Sequence, residues 1–141
     1  MCSSDLIKQC KDSDIFLGSC YAWNWEFTKL LVKEIKKINP GCLIILGGPQ
    51  VPNHSEGFFD HHPFVDIIVH GEGEYIFEEI LNAYLKDKNY SDIKGIETKD
   101  FRTPPQERIN NLDDLPSAYL TNTIWQLVNQ IDGVQWVAPW E

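Results

Sequence analysis

The chain has 141 residues, enough for about one domain of ordinary size, so a second catalytic domain would not fit within it. Its composition, 43% hydrophobic and 23% charged, is too apolar for a disordered protein and indicates a packed core. A formal net charge of −9 argues against nucleic acid as a partner, because binding to the phosphate backbone depends on Lys and Arg.

The sequence carries no sign of a membrane segment or of a disulfide framework. Its longest uninterrupted apolar run covers residues 42–46, whereas a bilayer crossing needs about 20 residues, and the N-terminus lacks the basic-then-apolar pattern of a signal peptide. Four cysteines, at positions 2, 10, 20 and 42, have spacings that match neither zinc-type pairs nor an iron–sulfur run. We therefore expect reduced thiols, a cytoplasmic location and no membrane partner.

Strand and helix patterns alternate along the first part of the chain. Residues 14–19 form an apolar run that ends at Gly and Ser, which is typical of a buried parallel strand leading into a loop. Apolar residues then recur at helical spacing over 24–38. Two further apolar runs, 42–46 and 64–69, each lead into a glycine-containing loop, and a second helical stripe covers 74–85.

Strands and helices in series imply right-handed crossovers and a parallel sheet. The expected fold class is α/β, a flavodoxin-like (Rossmann-like) parallel sheet with flanking helices, with a short helix within 55–62. Every strand-to-helix loop then lies at one edge of the sheet, where open α/β sheets bind ligands. Only three parallel strands are visible, while such sheets normally have about five or more, so we expect the first strands to lie upstream of Met1.

The pattern changes after Lys86. Residues 93–98 and 107–109 are predicted to pair as a hairpin around a turn at Thr103-Pro104-Pro105, and 112–116 have the composition of a linker. The final stretch contains three tryptophans with little periodicity, which is typical of a docking tail. The predicted organisation is a partial α/β domain at 1–92, a hairpin and linker completing it at 93–120, and a tail at 121–141.

The first predicted strand runs into Gly18-Ser19-Cys20-Tyr21-Ala22-Trp23-Asn24-Trp25. Small residues at such a turn let the backbone approach a ligand closely, and the N-terminus of the following helix suits an anion such as phosphate. The aromatic side chains of Tyr21, Trp23 and Trp25 could cover a large flat ligand, or could cap the end of the sheet as part of the core. The residues leave both interpretations open.

The second and third strands also end in glycine loops. Gly47-Gly48-Pro49-Gln50-Val51-Pro52 combines two glycines, which permit a positive φ or close passage of a ligand, with two stiffening prolines. Gly71-Glu72-Gly73-Glu74 precedes a helix, where carboxylates either stabilise the helix N-terminus or hydrogen-bond a ligand. Nothing else in the chain supplies a nucleophile constellation, and the histidines at 54, 61, 62 and 70 match no metal cluster. We predict neither catalytic residues nor metal-ligating side chains.

Three motifs in this order, Gly-Ser-Cys-Tyr-x-Trp-Asn, Leu-Gly-Gly-Pro-Gln-Val and Gly-Glu-Gly-Glu, resemble the N-terminal cobalamin-binding domain of radical S-adenosylmethionine proteins. The resemblance covers about residues 14–120. It implies that Ser19, Gly47 and Gly48 line the groove for the nucleotide tail of cobalamin, while the residues around Tyr21 approach the corrin ring. The implied cofactor-binding residues are Ser19, Cys20, Tyr21, Trp23, Asn24, Gly47, Gly48, Pro49, Gln50, Val51, Gly71, Glu72, Gly73 and Glu74.

Two motifs of such proteins are absent. The only Asp-x-His here, Asp60-His61-His62, lies after the wrong strand to be the Asp-x-His-x-x-Gly whose histidine ligates cobalt. The Cys-x-x-x-Cys-x-x-Cys motif that holds a [4Fe-4S] cluster is also missing. The resemblance therefore implies a radical S-adenosylmethionine barrel, with its S-adenosylmethionine and cluster, beyond residue 141 of the same parent chain. That barrel would carry out methyl transfer or related radical chemistry, and this portion alone would not be catalytic.

Two other functions remain open at this point. A cofactor-free α/β scaffold would use the acidic surface and tryptophan-rich tail for docking, and it should tolerate a bulky residue at Gly48, which a cofactor groove should not. A self-sufficient enzyme or flavin carrier ranks last, since the chain has neither a catalytic triad nor a Ser/Thr-rich phosphate loop after a first strand.

Overall fold

The computed structural model describes residues 7–8 and 10–128. A four-stranded mixed sheet forms the centre, in the order β1-β2-β3-β4, with the first three strands parallel and β4 antiparallel to β3. The strands are β1 (Ile15–Ser19), β2 (Leu43–Gly47), β3 (Ile67–Val69) and β4 (Ile96–Glu97). The predicted α/β class, a flavodoxin-like sheet with flanking helices, is confirmed.

Three helices lie in the connections between these strands, and a fourth follows β4. They are α1 (Trp25–Ile38), α2 (Phe58–His61), α3 (Gly73–Lys86) and α4 (Thr123–Val128), with a 3-10 turn at Leu112–Asp114. The two long helices begin within one residue of their predicted starts, and α2 lies inside the predicted 55–62. None of the helices in the described part of the chain is both long enough and apolar enough to span a membrane.

The strand β2 separates two hydrophobic clusters because its side chains alternate between the faces of the sheet. Ile44 and Leu46 face the cluster that contains the buried side of α1, whereas Ile45 faces the cluster that contains Ile76 and Ile80 of α3. Each face of the sheet is thus covered by one long helix. This arrangement leaves the loops after β1, β2 and β3 together at the carboxyl edge of the sheet.

The opposite edge of the sheet is fixed by the carboxylate of Asp66. Its Oδ2 accepts a hydrogen bond from the backbone N–H of Ile44 at 2.7 Å and lies 2.8 Å from Nζ of Lys36. One side chain therefore joins α1, β2 and the residue before β3. These contacts have a structural role and lie away from the glycine loops.

The hairpin prediction was wrong in its register. The return segment is 102–104, since Thr103 N–H donates to Ile96 O at 3.0 Å and Gly95 N–H donates to Pro104 O at 2.7 Å. The turn lies at 98–101, where the Thr98 hydroxyl accepts hydrogen bonds from the two residues that follow Lys99. Pro104 needs no N–H here because it contributes only its carbonyl, so the Thr-Pro-Pro sequence lies in or beside the return segment and not in the turn.

The described residues form two compact units that divide between Arg108 and Ile109. The sheet, α1, α2 and α3 belong to the first unit, and the 3-10 turn and α4 belong to the second. The predicted domain limits at 92 and 120 remain predictions. The predicted docking tail falls mostly on residues 129–141, which lie outside the described residues.

We predict that Ile80→Ala lowers the free energy of unfolding by about 2–5 kcal/mol, because Ile80 is completely buried and its truncation leaves a cavity. Leu85→Ala, in the same helix at a side chain 81% exposed, should change it by less than about 0.5 kcal/mol. Urea unfolding followed by circular dichroism measures both. Equal losses in the two variants would contradict the described packing of α3.

Candidate functional site

A cleft of about 500 Å³ opens at the carboxyl edge of the sheet, between the loops that follow β1, β2 and β3. The structure brings most of the predicted site residues together around it: Ser19, Tyr21, Gly47, Gly48, Pro49, Gly71, Glu72, Gly73 and Glu74. Sequence reasoning missed three more lining residues, Leu17, Val69 and Phe77, and it placed the fourth, Gly18, in the first loop without naming it as a cofactor-binding residue. Leu17, Val69 and Phe77 add apolar side chains to this lining.

Gly48 is the point where the loop after β2 crosses the loop after β1. Its φ is +101°, and a Cβ there would lie 2.7 Å from the carbonyl oxygen of Cys20 and 2.9 Å from its nitrogen. The two loops are also hydrogen-bonded, since Cys20 N–H donates to Gly47 O at 2.7 Å and Gln50 N–H donates to Cys20 O at 3.1 Å. The protein's own backbone thus requires a glycine at position 48.

This crossing corrects the test that the sequence suggested. A bulky residue at Gly48 would strain the fold whether or not a cofactor binds, so it cannot distinguish a cofactor groove from a scaffold. Gly71 and Gly73 are different, because an added Cβ at either position meets no atom within 4 Å. Of these two, only Gly71 has a positive φ, at +87°. Gly73 is therefore a lining position that accepts a side chain without backbone strain or a close contact.

The loop after β1 is closed by Asn24. Its Oδ1 accepts a hydrogen bond from Tyr21 N–H at 2.7 Å, and its Nδ2 donates to Ser19 O at 2.9 Å. Both ends of the amide side chain are therefore engaged within the loop. Asn24 shapes the rim without lining the cleft.

The three aromatic residues of this loop have different environments. Tyr21 lines the cleft and stacks on Trp23, with ring centroids 4.6 Å apart and planes 9° from parallel, and Trp23 is 81% exposed. Trp25 instead packs with Phe58 against the first hydrophobic cluster. The core interpretation therefore holds for Trp25, while Tyr21 and Trp23 present a stacked aromatic surface at the rim.

Three other predicted residues do not reach the cleft. Cys20 is fully buried, and its thiol lies 3.6 Å from Gly18 O. Burial raises the pKa of this thiol to about 11. Gln50 is exposed beside the crossing. Val51 is buried and lines a second cavity of about 330 Å³, which shares Gly48 and other rim residues with the cleft.

The histidines have structural surroundings rather than a shared centre. His61 Nδ1 lies 2.7 Å from Gly57 O, and His70 Nε2 lies 3.1 Å from Glu97 Oε2. His62 packs between aromatic rings, and burial lowers its pKa. Within the described residues, no group of three or more His, Cys, Asp or Glu side chains could hold a metal ion.

The geometry fits a large ligand that needs a neutral, partly apolar slot. The open space at Gly71 and Gly73 and the apolar side chains of Leu17, Val69 and Phe77 admit a planar or aliphatic group. Glu72 and Glu74 place two carboxylates at the N-terminus of α3, where they complement the helix dipole and repel an anion. The slot is therefore suited to the uncharged part of a ligand.

Comparison with known proteins gives a consistent result. Residues 3–81 match the family described as B12 binding domain. The chain is 34% identical over 137 residues to a cobalamin-dependent radical SAM methyltransferase, TokK, of Streptomyces tokunonensis, covering 92% of this chain and 20% of that protein. It is 38% identical over 114 residues to the 2-(S-pantetheinyl)-carbapenam-3-carboxylate methyltransferase of Streptantibioticus cattleyicolor. That match covers 77% of this chain and 17% of the relative.

A third relative is an uncharacterized methyltransferase of Pyrococcus horikoshii, 32% identical over 90 residues, which are 61% of this chain and 20% of that protein. The chain thus spans about a fifth of the length of the curated relatives it matches.

We predict that Gly48→Ala lowers the free energy of unfolding by about 2 kcal/mol or more, because it adds a backbone clash and a strained φ. Gly73→Ala should leave it unchanged or slightly raised, since the position is open and helical. Chemical denaturation of the two variants and of the wild-type chain measures the three free energies of unfolding. A Gly48→Ala chain as stable as Gly73→Ala would refute the loop crossing.

We also predict that iodoacetamide at about pH 8 leaves Cys20 unmodified in the folded chain and alkylates it in urea. The thiolate is the reactive form, and burial raises the pKa of Cys20 from 9.0 to about 11, so the native thiol stays protonated at this pH. The same shift contributes stability below pH 9 that is lost as the pH rises towards 11. Peptide mass spectrometry locates the adduct, and rapid native alkylation of Cys20 would contradict its burial.

Proposed function

The chain belongs to the B12 binding domain family, and on that premise we propose that it binds cobalamin at the carboxyl edge of its sheet, as the cofactor module of a radical S-adenosylmethionine enzyme. The observation that carries the proposal is the cleft that three glycine loops form at that edge. Ligand sites of open α/β sheets occur at the same edge. A cofactor-free scaffold is not favoured, because the family match and the open cleft point to a ligand.

Cobalamin has a broad corrin ring edged with amides and a nucleotide tail with one phosphate. At about 500 Å³, the cleft falls within the range of small-molecule pockets and suits one extended part of such a ligand better than the whole. We propose that the nucleotide base, the uncharged end of the tail, enters the cleft along Ser19, Gly47 and the apolar side chains of Leu17, Val69 and Phe77. The phosphate of the tail would lie on the side of the loops after β1 and β2, away from Glu72 and Glu74. Gly48 would act indirectly, by holding the two loops together.

The corrin ring would then lie over the rim. The stacked rings of Tyr21 and Trp23 offer it an apolar surface, and Asn24 would keep that loop in shape through its hydrogen bonds to Tyr21 and Ser19. The segment 71–74 would close the other side, with the carboxylates of Glu72 and Glu74 as acceptors for amide N–H groups of the ring edge. The chain's residues thus bind and orient the cofactor.

The chemistry of the whole protein lies outside this module. Bound cobalamin supplies a cobalt that can carry a methyl group, while S-adenosylmethionine and a [4Fe-4S] cluster would be held by a barrel in the same parent chain. This part of the proposal is supported by the printed names of two relatives, of which the chain covers a fifth or less. It implies methyl transfer as the reaction class.

Equilibrium binding of hydroxocobalamin, followed by its visible absorbance, tests the proposal. We predict that the wild-type chain retains the cofactor and that Gly73→Leu weakens binding by about ten-fold or more, because the new side chain enters the open cleft. Gly41→Leu is the matched control, an exposed glycine at the other end of β2 with no close contact. It should bind like the wild type.

Cobinamide, a corrinoid without the nucleotide tail, separates the two parts of the site. If the tail occupies the cleft, cobinamide binds the wild type more weakly than hydroxocobalamin does, and Gly73→Leu reduces its affinity by a smaller factor. A folded wild-type chain that retains no hydroxocobalamin would count decisively against the proposed function. An equal loss of affinity in Gly41→Leu would show that the effect of Gly73→Leu is not local.

A further inference from the structure

Glu97 on β4 is the centre of a polar cluster beside the cleft. Its side chain is only 13% exposed, and it is contacted from three separate segments of the chain. The Ser55 hydroxyl donates to Oε1, His70 Nε2 donates to Oε2 at 3.1 Å, and Arg102 Nη1 lies 3.5 Å from the same oxygen. These are charge-assisted contacts to a largely buried carboxylate, which are stronger than ordinary hydrogen bonds.

The partners of Glu97 belong to the loops that form the rim. Ser55 lies in the loop after β2, and Arg102 holds that loop a second time by donating from Nη1 to Asn53 O at 2.8 Å. His70 is the first residue after β3 and is also tied to the hairpin, since its N–H donates to Gly95 O at 2.8 Å. Glu97 therefore connects the loop after β2 to the loop after β3.

The cluster lies directly behind the ligand-accessible surface. Asn53 and His70 line the cavity of about 330 Å³ that shares Gly48, Pro49, Val69 and Gly71 with the main cleft. Glu97 is not among the residues that line either cavity. A change at Glu97 thus removes no direct contact with a ligand in these cavities and acts on it through the loops that Glu97 holds.

We propose that Glu97 is a positioning residue, which fixes the separation of the loops after β2 and β3 and thereby the width of the cobalamin cleft. This inference rests on the proposed function. Without the carboxylate, the buried Ser55 hydroxyl loses its charged acceptor and Arg102 loses one of its two anchors. The two loops then move independently, and ordering them again on binding weakens affinity.

Glu97→Gln, in the full 141-residue chain, keeps the size of the side chain and removes its charge. We predict that it weakens hydroxocobalamin binding by about five- to twenty-fold. Glu79→Gln, the same change at an exposed position of α3, is the matched control and should bind like the wild type. Arg102→Gln removes a partner of Glu97 at a more exposed side chain and should weaken binding by about two- to five-fold. It replaces Glu97→Gln as the test variant if Glu97→Gln does not fold.

Amide hydrogen exchange of the chain without cofactor gives a second readout. Residues 49–55 and 70–74 should exchange faster in Glu97→Gln, while β1 and α1 should not change, which a general loss of stability would not produce. Wild-type affinity together with unchanged exchange in either folded variant, Glu97→Gln or Arg102→Gln, would overturn the inference. Failure of the wild-type chain to bind hydroxocobalamin would instead contradict the proposed function. The exchange measurement would then still decide whether Glu97 positions the two loops.

Discussion

The close crossing of two loop backbones at Gly48 and Cys20 is the constraint on which the rest of the rim depends. Because a Cβ at Gly48 would come within 2.7 Å of a carbonyl oxygen, the loops after β1 and β2 can meet only if this residue is glycine. Their contact joins the two loops at the point where both line the cleft. On the loop after β3, by contrast, an added Cβ at Gly71 or Gly73 would meet no atom within 4 Å.

The sequence predicts the fold well because its signals are local. Apolar runs that lead into glycine loops, alternating with helical stripes, suffice to place three parallel strands and two long helices, and hence three loops at one edge. The predicted register of the hairpin was wrong for a local reason as well. The Thr-Pro-Pro sequence suggested a turn, but the Thr98 hydroxyl forms the turn earlier, and the prolines are tolerated in an edge segment.

The site is less predictable than the fold, because the role of each loop residue depends on contacts between loops. No feature of the neighbouring sequence distinguishes Gly48, where two loop backbones of the protein come into contact, from Gly73, where space is left for a ligand. Cys20 and Tyr21 are neighbours, yet one is fully buried and the other lines the cleft. Strand alternation does place Leu17 on the same face as Ser19, so that lining residue could have been inferred.

Two different kinds of contact hold the rim. The crossing at Gly48 is backbone packing, which cannot rearrange without strain, whereas the cluster around Glu97 consists of side-chain contacts to one carboxylate. The first fixes the loops after β1 and β2 to each other, and the second fixes the loops after β2 and β3. Since the loop after β2 takes part in both, its position determines the shape of the whole cleft. The segment with two glycines and two prolines is therefore held in place by contacts on both sides, whereas the N-terminal turn of α3 is the side of the cleft where an added side chain meets no close contact.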